Sequence, residues 1–233
     1  MKLLFYFTVS VFVLSGCYLS DDQASDCTGS NQLPVTKQKQ NEDVKQLIVR
    51  EEVSLFNGKS LTNWKVSQFG GEGEVIVEKG TVEFDFGNPM TGITWNGTEL
   101  PKLNYEISLE AVKLEGNDFF VGLTLPYKDS YFTLILGGWG GAVCGISSFD
   151  YMDASENETS FIENFKNNQW YKVSVQVKDD NIVVTLDGKK VIDARIDERK
   201  VHIRPEVDSS KPLGICSFET RAAYKNIRLK KLN

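Results

Sequence analysis

Two stretches of this chain alternate apolar and polar residues with period two, and nothing else in the sequence constrains the fold as tightly. Tyr105, Ile107, Leu109 and Ala111 alternate with Glu106, Ser108 and Glu110. Tyr171, Val173, Val175 and Val177 alternate with Lys172, Ser174, Gln176 and Lys178. Successive side chains of a strand leave opposite faces, so each run buries one face and wets the other. More strands follow from the turn signals around them. Asp187-Gly188 joins Ile182–Leu186 to Lys189–Ala194, and a two-residue turn of that type needs φ > 0 at both positions. Lys79-Gly80 joins Val75–Glu78 to Thr81–Phe86 in the same way. Phe119–Leu125 and Tyr131–Leu136 are apolar on both faces, which places them centrally. No segment of this region carries an apolar period of 3.6 residues. Many short strands without helices predict an all-β, two-sheet antiparallel sandwich.

The strands begin only after a different kind of sequence. One lysine precedes an apolar run from Leu3 to Leu14, and Ser15-Gly16-Cys17 follows. This is the layout of a secretory signal, and Leu14-Ser15-Gly16-Cys17 matches the bacterial lipobox. A bilayer-spanning helix needs about 20 apolar residues, more than this run supplies. Residues 1–16 are therefore expected to be a lipoprotein signal peptide, with Cys17 the lipidated residue. The Cys is followed by Tyr18 rather than Asp, which favours the outer membrane of a two-membrane envelope. Residues 17–50 read as a polar tether, with a short helical turn expected near Asn41–Arg50. Five acids and four bases nearly cancel there and Lys2 offsets the remainder, so the net charge of −6 belongs to residues 51–233, the sandwich. A surplus of acid excludes nucleic acid as a partner and leaves the lipid anchor as the membrane contact.

Cysteine and histidine usage narrows the chemistry. Cys144 and Cys216 lie in apolar, strand-like surroundings and read as core thiols, with a disulfide between them as the alternative. No zinc-type spacing occurs, and His202 is the chain's one histidine. Neither a His-based metal site nor a Ser-His-Asp triad is expected.

Two motifs carry a resemblance. Leu55-Phe56-Asn57-Gly58-Lys59-Ser60-Leu61-Thr62-Asn63-Trp64 opens the domain. Gly214-Ile215-Cys216-Ser217-Phe218 and then Ala223-Tyr224-Lys225-Asn226-Ile227-Arg228-Leu229 close it. Their order and distance resemble the 3-keto-disaccharide hydrolase domain family. The resemblance implies a concanavalin A-like jelly roll, export in bacteria and a carbohydrate ligand. Locally the same residues read as core anchors and a last strand closing a sheet. Related laminarinase-type sandwiches carry Glu-x-Asp-x-Glu on one strand; here Glu83-Phe84-Asp85-Phe86-Gly87 lacks the third acid. The two-carboxylate retaining mechanism therefore has no sequence support.

Candidate chemistry concentrates in Gly137–Ser160. Trp139 stands among four glycines and offers a platform for a sugar ring. Asp150, Asp153 and Glu158 follow in a polar loop. If the family activity applies, a ketone at C3 of a glucoside acidifies the proton at C2. A carboxylate removes that proton, the enolate expels the C1 substituent, and water adds. The step needs a base and a donor or cation at the enolate oxygen. Local chemistry offers Asp150, Asp153 and Glu158 as bases, Arg204 or Arg221 as the oxyanion donor and Trp139 as the stacking ring. Arg204 and Glu206 read either as an ion pair or as substrate contacts. No cofactor is expected; a divalent cation on the acidic loop is the alternative. Two functions stay open: an enzyme acting on 3-keto-glycosides, and a non-catalytic carbohydrate-binding lipoprotein.

Overall fold

The structure is a computed structural model and describes residues 52–232. The signal peptide, Cys17 and the tether with its expected helical turn lie outside the described residues. Two antiparallel sheets make up the domain. The first runs β13 (Lys189–Arg195), β12 (Asn181–Leu186), β11 (Trp170–Val177), β6 (Tyr105–Gly116), β15 (Thr220–Lys231), β4 (Thr81–Phe84), β3 (Val75–Glu78), with β1 (Glu52–Ser54) also on β15. The second runs β10 (Phe161–Ile162), β9 (Val143–Ser147), β8 (Ser130–Gly138), β7 (Val121–Tyr127), β14 (Gly214–Phe218), β5 (Met90–Trp95), β2 (Trp64–Val66). This is the expected jelly-roll sandwich.

The alternating runs behave as their pattern dictates. Val173 pairs with Leu109 and Val175 with Ile107, and all four are buried between the sheets. The Asp187-Gly188 turn has φ of 50° and 80°, so both residues take the left-handed conformation its hairpin requires. Strand β7 is the middle strand of its sheet and is buried along its whole length.

The closing strand departs from the simple reading. β15 lies between β6 and β4, inside its sheet rather than at an edge. Its core-facing residues are Ala222 and Tyr224, then Ile227 and Leu229, so the period of two breaks once. A register shift between Lys225 and Arg228, with Asn226 at φ 53°, absorbs the extra residue and returns Ile227 to the core.

The two cysteines are free and buried, on opposite faces of the second sheet. Cys144 packs between the sheets, whereas Cys216 packs outside with Met90 and Val207. β8 and β7 separate their strands, a gap of about 14 Å at the usual strand spacing. That is too wide for a disulfide. Burial pushes each thiol up to about 12.

The outer face of the second sheet is also covered, which explains why β7 and β14 are apolar on both sides. Pro205–Ser210, a 3-10 turn, packs over β5 and β14. Space beneath it is tight at Gly122. A Cβ there would lie 2.7 Å from the Cys216 Sγ and 2.9 Å from the Phe119 ring. Gly122→Ala is therefore expected to lower stability by about 1–3 kcal/mol, read as a lower urea midpoint with an unchanged m-value.

Candidate functional site

A groove with a cavity volume of ≈ 300 Å³ opens on the outer face of the seven-stranded sheet. Its floor follows from strand alternation. Thr133 and Ile135 of β8 and Ser147 of β9 point outward because Phe132, Leu134 and Ile146 point into the core. The Thr133 hydroxyl is tied to that of Thr124 on β7 at 2.9 Å. Met90, Phe119 and Phe218 form an apolar wall, with the two phenyl rings 5.6 Å apart. Trp139 stands at the rim, 45% exposed, on a left-handed turn with φ 51°. Asp118 fastens that turn: its carboxylate accepts from the backbone N–H of Phe119 at 2.8 Å and of Gly140 at 3.3 Å. The segment leading into the 3-10 turn supplies the remaining wall, Arg204, Glu206 and Val207.

The polar end of the groove is a connected array. The Arg204 guanidinium donates to Glu206 Oε1 at 3.0 Å through Nη2 and to Asp153 Oδ2 at 2.5 Å through Nη1. Asp153 Oδ1 accepts from the hydroxyls of Ser147 at 3.1 Å and Ser148 at 3.0 Å. Arg204 holds the Glu206 carboxyl below its ordinary range, with help from the backbone N–H of Glu206 itself. The same pairing raises the guanidinium further. Arg204 thus spends its contacts on two carboxylates, and these fix the orientation of its planar fork.

The other two candidate bases of the Gly137–Ser160 segment go elsewhere. Asp150 and Glu158 both pair with Arg199, which lies over the Phe149 ring at 5.5 Å. The Lys200 backbone N–H and the Arg199 guanidinium hold the Asp150 carboxyl below its usual range, and Arg199 does the same to Glu158. Neither lines the groove. The loop is stapled from within by Asn157, which is buried. Its amide donates to the carbonyls of Ile146 and Asp153 at 2.8 Å each, and its oxygen accepts from the Thr159 hydroxyl at 2.6 Å. Asp150, Asp153 and Glu158 are therefore dispersed onto two guanidiniums rather than gathered on open space. Among the described residues no three His, Cys, Asp or Glu side chains are placed to hold a metal ion.

Arg221 also lies away from the groove. It donates to Glu83 at 2.7 Å and pairs with Asp85 at 3.3 Å and Glu115 at 3.7 Å. The Glu83 and Asp85 pair, read in the sequence as a truncated acidic strand, is the partner of this arginine. Of the residues singled out in the sequence, the fold brings together Trp139, Asp153, Arg204 and Glu206. It leaves Asp150, Glu158 and Arg221 in ion pairs outside. Sequence reasoning missed Asp118, Phe119, Ser147 and Phe218. The one available signal was that Gly214–Phe218 is apolar on both faces, which marks a covered outer surface.

The Arg199 cluster gives a pH prediction. Both carboxyls titrate below their unfolded values, so their contribution is full above the ordinary carboxylate range and is lost as pH falls through the lowered folded values. Arg199→Ala is expected to lower Tm by a few degrees at pH 7. The difference from wild type should shrink steadily below about pH 4, as followed by thermal melts across pH.

Comparison with known proteins places the fold and the family. Carbohydrate-binding module CBM66 from Bacillus subtilis superposes with a TM-score of 0.52 at 12% identity, covering 74% of this chain and 98% of that one. Crh5 transglycosylase in complex with NAG gives 0.56 at 11% identity, with coverages of 78% and 84%. The exoplasmic/lumenal domain of VIP36, in a Ca2+/Man3GlcNAc-bound form, gives 0.51 at 12% identity, with coverages of 78% and 89%. At these identities the likeness is one of fold. No protein of curated function matches the sequence. The family match is direct and spans residues 51–230, nearly the whole sandwich. The chain belongs to the 3-keto-alpha-glucoside-1,2-lyase-like domain family.

Proposed function

We propose that this domain binds a 3-keto-glucoside in the groove and eliminates its C1 substituent, and that Cys17 anchors it by lipid to the cell envelope, on the outer membrane where there are two. The observation that carries the reading is the Asp153–Arg204–Glu206 array at the end of an aromatic-lined groove. Proton loss at C2 and charge gain at the C3 oxygen occur on adjacent positions of the sugar. The base and the oxyanion donor must therefore be adjacent too. Glu206 and Arg204 meet that demand at 3.0 Å. Trp139, Phe119 and Phe218 supply apolar faces for the sugar ring.

The charge balance of the step favours this pair. Glu206 takes the C2 proton, and the electrons of that C–H bond pass to the C3 oxygen as an enolate. Glu206 becomes neutral at that moment and releases its hold on Arg204. The guanidinium then serves the enolate, so the negative charge moves between two acceptors of one donor and the site's net charge is unchanged. Collapse of the enolate restores the ketone, forms a C1=C2 bond and expels the C1 oxygen, which takes the proton from Glu206 and leaves as an alcohol, returning Glu206 to its carboxylate. Addition of water across C1=C2 gives the hydrolysis product. Asp153 is a positioning residue: it touches Arg204 and two hydroxyls and does not line the groove.

A non-catalytic carbohydrate-binding role is the second reading. It is favoured by the guanidinium pairing that satisfies Asp150, Asp153 and Glu158. The test is to incubate the purified chain with methyl 3-keto-α-glucoside and follow release of methanol. Release supports the enzyme. Binding of the sugar without release would establish the second reading instead.

A further inference from the structure

A second cavity, of ≈ 590 Å³, adjoins the groove and is lined by Phe86, Asn117, Asp118, Gly140, Asn167 and Glu219, among others. The two are parts of one cleft. Asp118 borders both, and the consecutive residues Trp139 and Gly140 border one each. The dividing element is therefore the Trp139 turn together with the carboxylate that fastens it. The groove is the smaller space and is accounted for by one reacting ring. The larger space beside it has a distinct chemistry. Phe86 is 41% exposed and offers an aromatic face on which a sugar ring can stack. Asn117 and Asn167 add amides that both donate and accept, as a polyhydroxylated ligand requires. Glu115, Asp118 and Glu219 make the lining acidic, and only Glu115 of the three has a nearby guanidinium, Arg221 at 3.7 Å. Carboxylates accept from sugar hydroxyls and repel uronate or sulfate groups.

Resting on the function proposed above, we infer that the second cavity receives the leaving-group sugars of an uncharged oligosaccharide. The ring broken at C1 lies in the groove and the next units pass Asp118 to lie against Phe86. The preferred substrate is then a chain of sugars, and a disaccharide uses only part of the cleft.

The experiment is a chain-length series. Methyl α-glucoside, maltose and maltotriose, each oxidised at C3 of the non-reducing glucose, are compared for kcat/KM alongside their β-linked counterparts. In one linkage series kcat/KM is expected to rise about tenfold between the methyl glycoside and the trisaccharide, about 1.4 kcal/mol of added transition-state binding. Phe86→Ala or Asn167→Ala is expected to remove that gain, with the rate on the methyl glycoside as the internal reference for folding. Flat kcat/KM along both series with measurable turnover overturns the second cavity and leaves the groove reading standing. A gain that survives in both variants also overturns it. Neither turnover nor binding for any member overturns both readings.

Discussion

Replacing Arg204 with alanine is expected to lower kcat on a 3-keto-glucoside by about 10²–10³-fold, the usual cost of losing an oxyanion donor. The side chain is half exposed, its pair with Glu206 is solvated, and the less exposed Asp153 keeps two hydroxyl donors, so its removal should lower Tm only slightly. A large kinetic effect with little thermal effect is what separates a group acting on the reaction from one holding the fold. Arg204→Lys should recover only part of the rate, because an ammonium cannot reproduce the planar fork that meets Glu206 and Asp153 together. Glu206→Gln should fall in the same range or below, since it removes the base and leaves the donor. Asp153→Asn is the informative control. It should cost less, and the loss should appear in kcat with KM little changed, as expected of a residue that orients Arg204 without touching the sugar. Single-turnover and steady-state rates on methyl 3-keto-α-glucoside check all four variants. An Arg204→Ala variant with wild-type kcat would remove this array from the mechanism.

The fold was largely legible because its determinants are local. Alternation at Tyr105–Ala111 and Tyr171–Val177 needs only neighbouring residues to read, and Asp187-Gly188 declares its own turn. The last strand is legible in the sequence, but its bulge is not. The bulge at Asn226 arises in the pairing with β6, which lies far off in sequence. The site was less legible for the same reason. Gly137–Ser160 reads as one acidic cluster, but its three candidate bases are sorted by arginines some 40 to 50 positions away: Arg199 collects Asp150 and Glu158, and Arg204 collects Asp153. Trp139 was visible as an aromatic among glycines. Phe119 and Phe218 were not, since an outward-facing ring and a core ring look alike until the covering turn Pro205–Ser210 is in place. Ion pairing between segments distant in sequence decides which candidates reach the groove, and no local pattern encodes that pairing.

The same long-range logic sets the largest stability prediction, at Tyr224. Its ring lies 4.7 Å from that of Phe84 in the buried core, and its hydroxyl donates to the Phe120 carbonyl at 2.6 Å. Tyr224 belongs to β15 of one sheet, whereas Phe120 leads into β7 of the other, so this bond crosses the sandwich. Tyr105 of β6 makes a matching bond to the Pro126 carbonyl at 2.5 Å, near the other end of β7. The central strand beneath the groove is thus clamped to the opposite sheet at both ends. Burial drives the Tyr224 phenol upward, so it stays a donor across the working pH range. Tyr224→Phe keeps the ring but leaves a buried carbonyl unpaired, and about 1–3 kcal/mol should be lost. Tyr224→Ala adds the cavity left by a large core ring. By analogy with other aromatic core truncations, the total should reach about 3–5 kcal/mol, a large part of the stability of a domain this size. Urea unfolding followed by tryptophan fluorescence measures both variants. A Tyr224→Ala midpoint close to that of Tyr224→Phe would mean that the phenyl contacts carry little and the crossing hydrogen bond carries the clamp. A Tyr224→Phe midpoint equal to wild type would mean that the sheets are held by apolar packing alone.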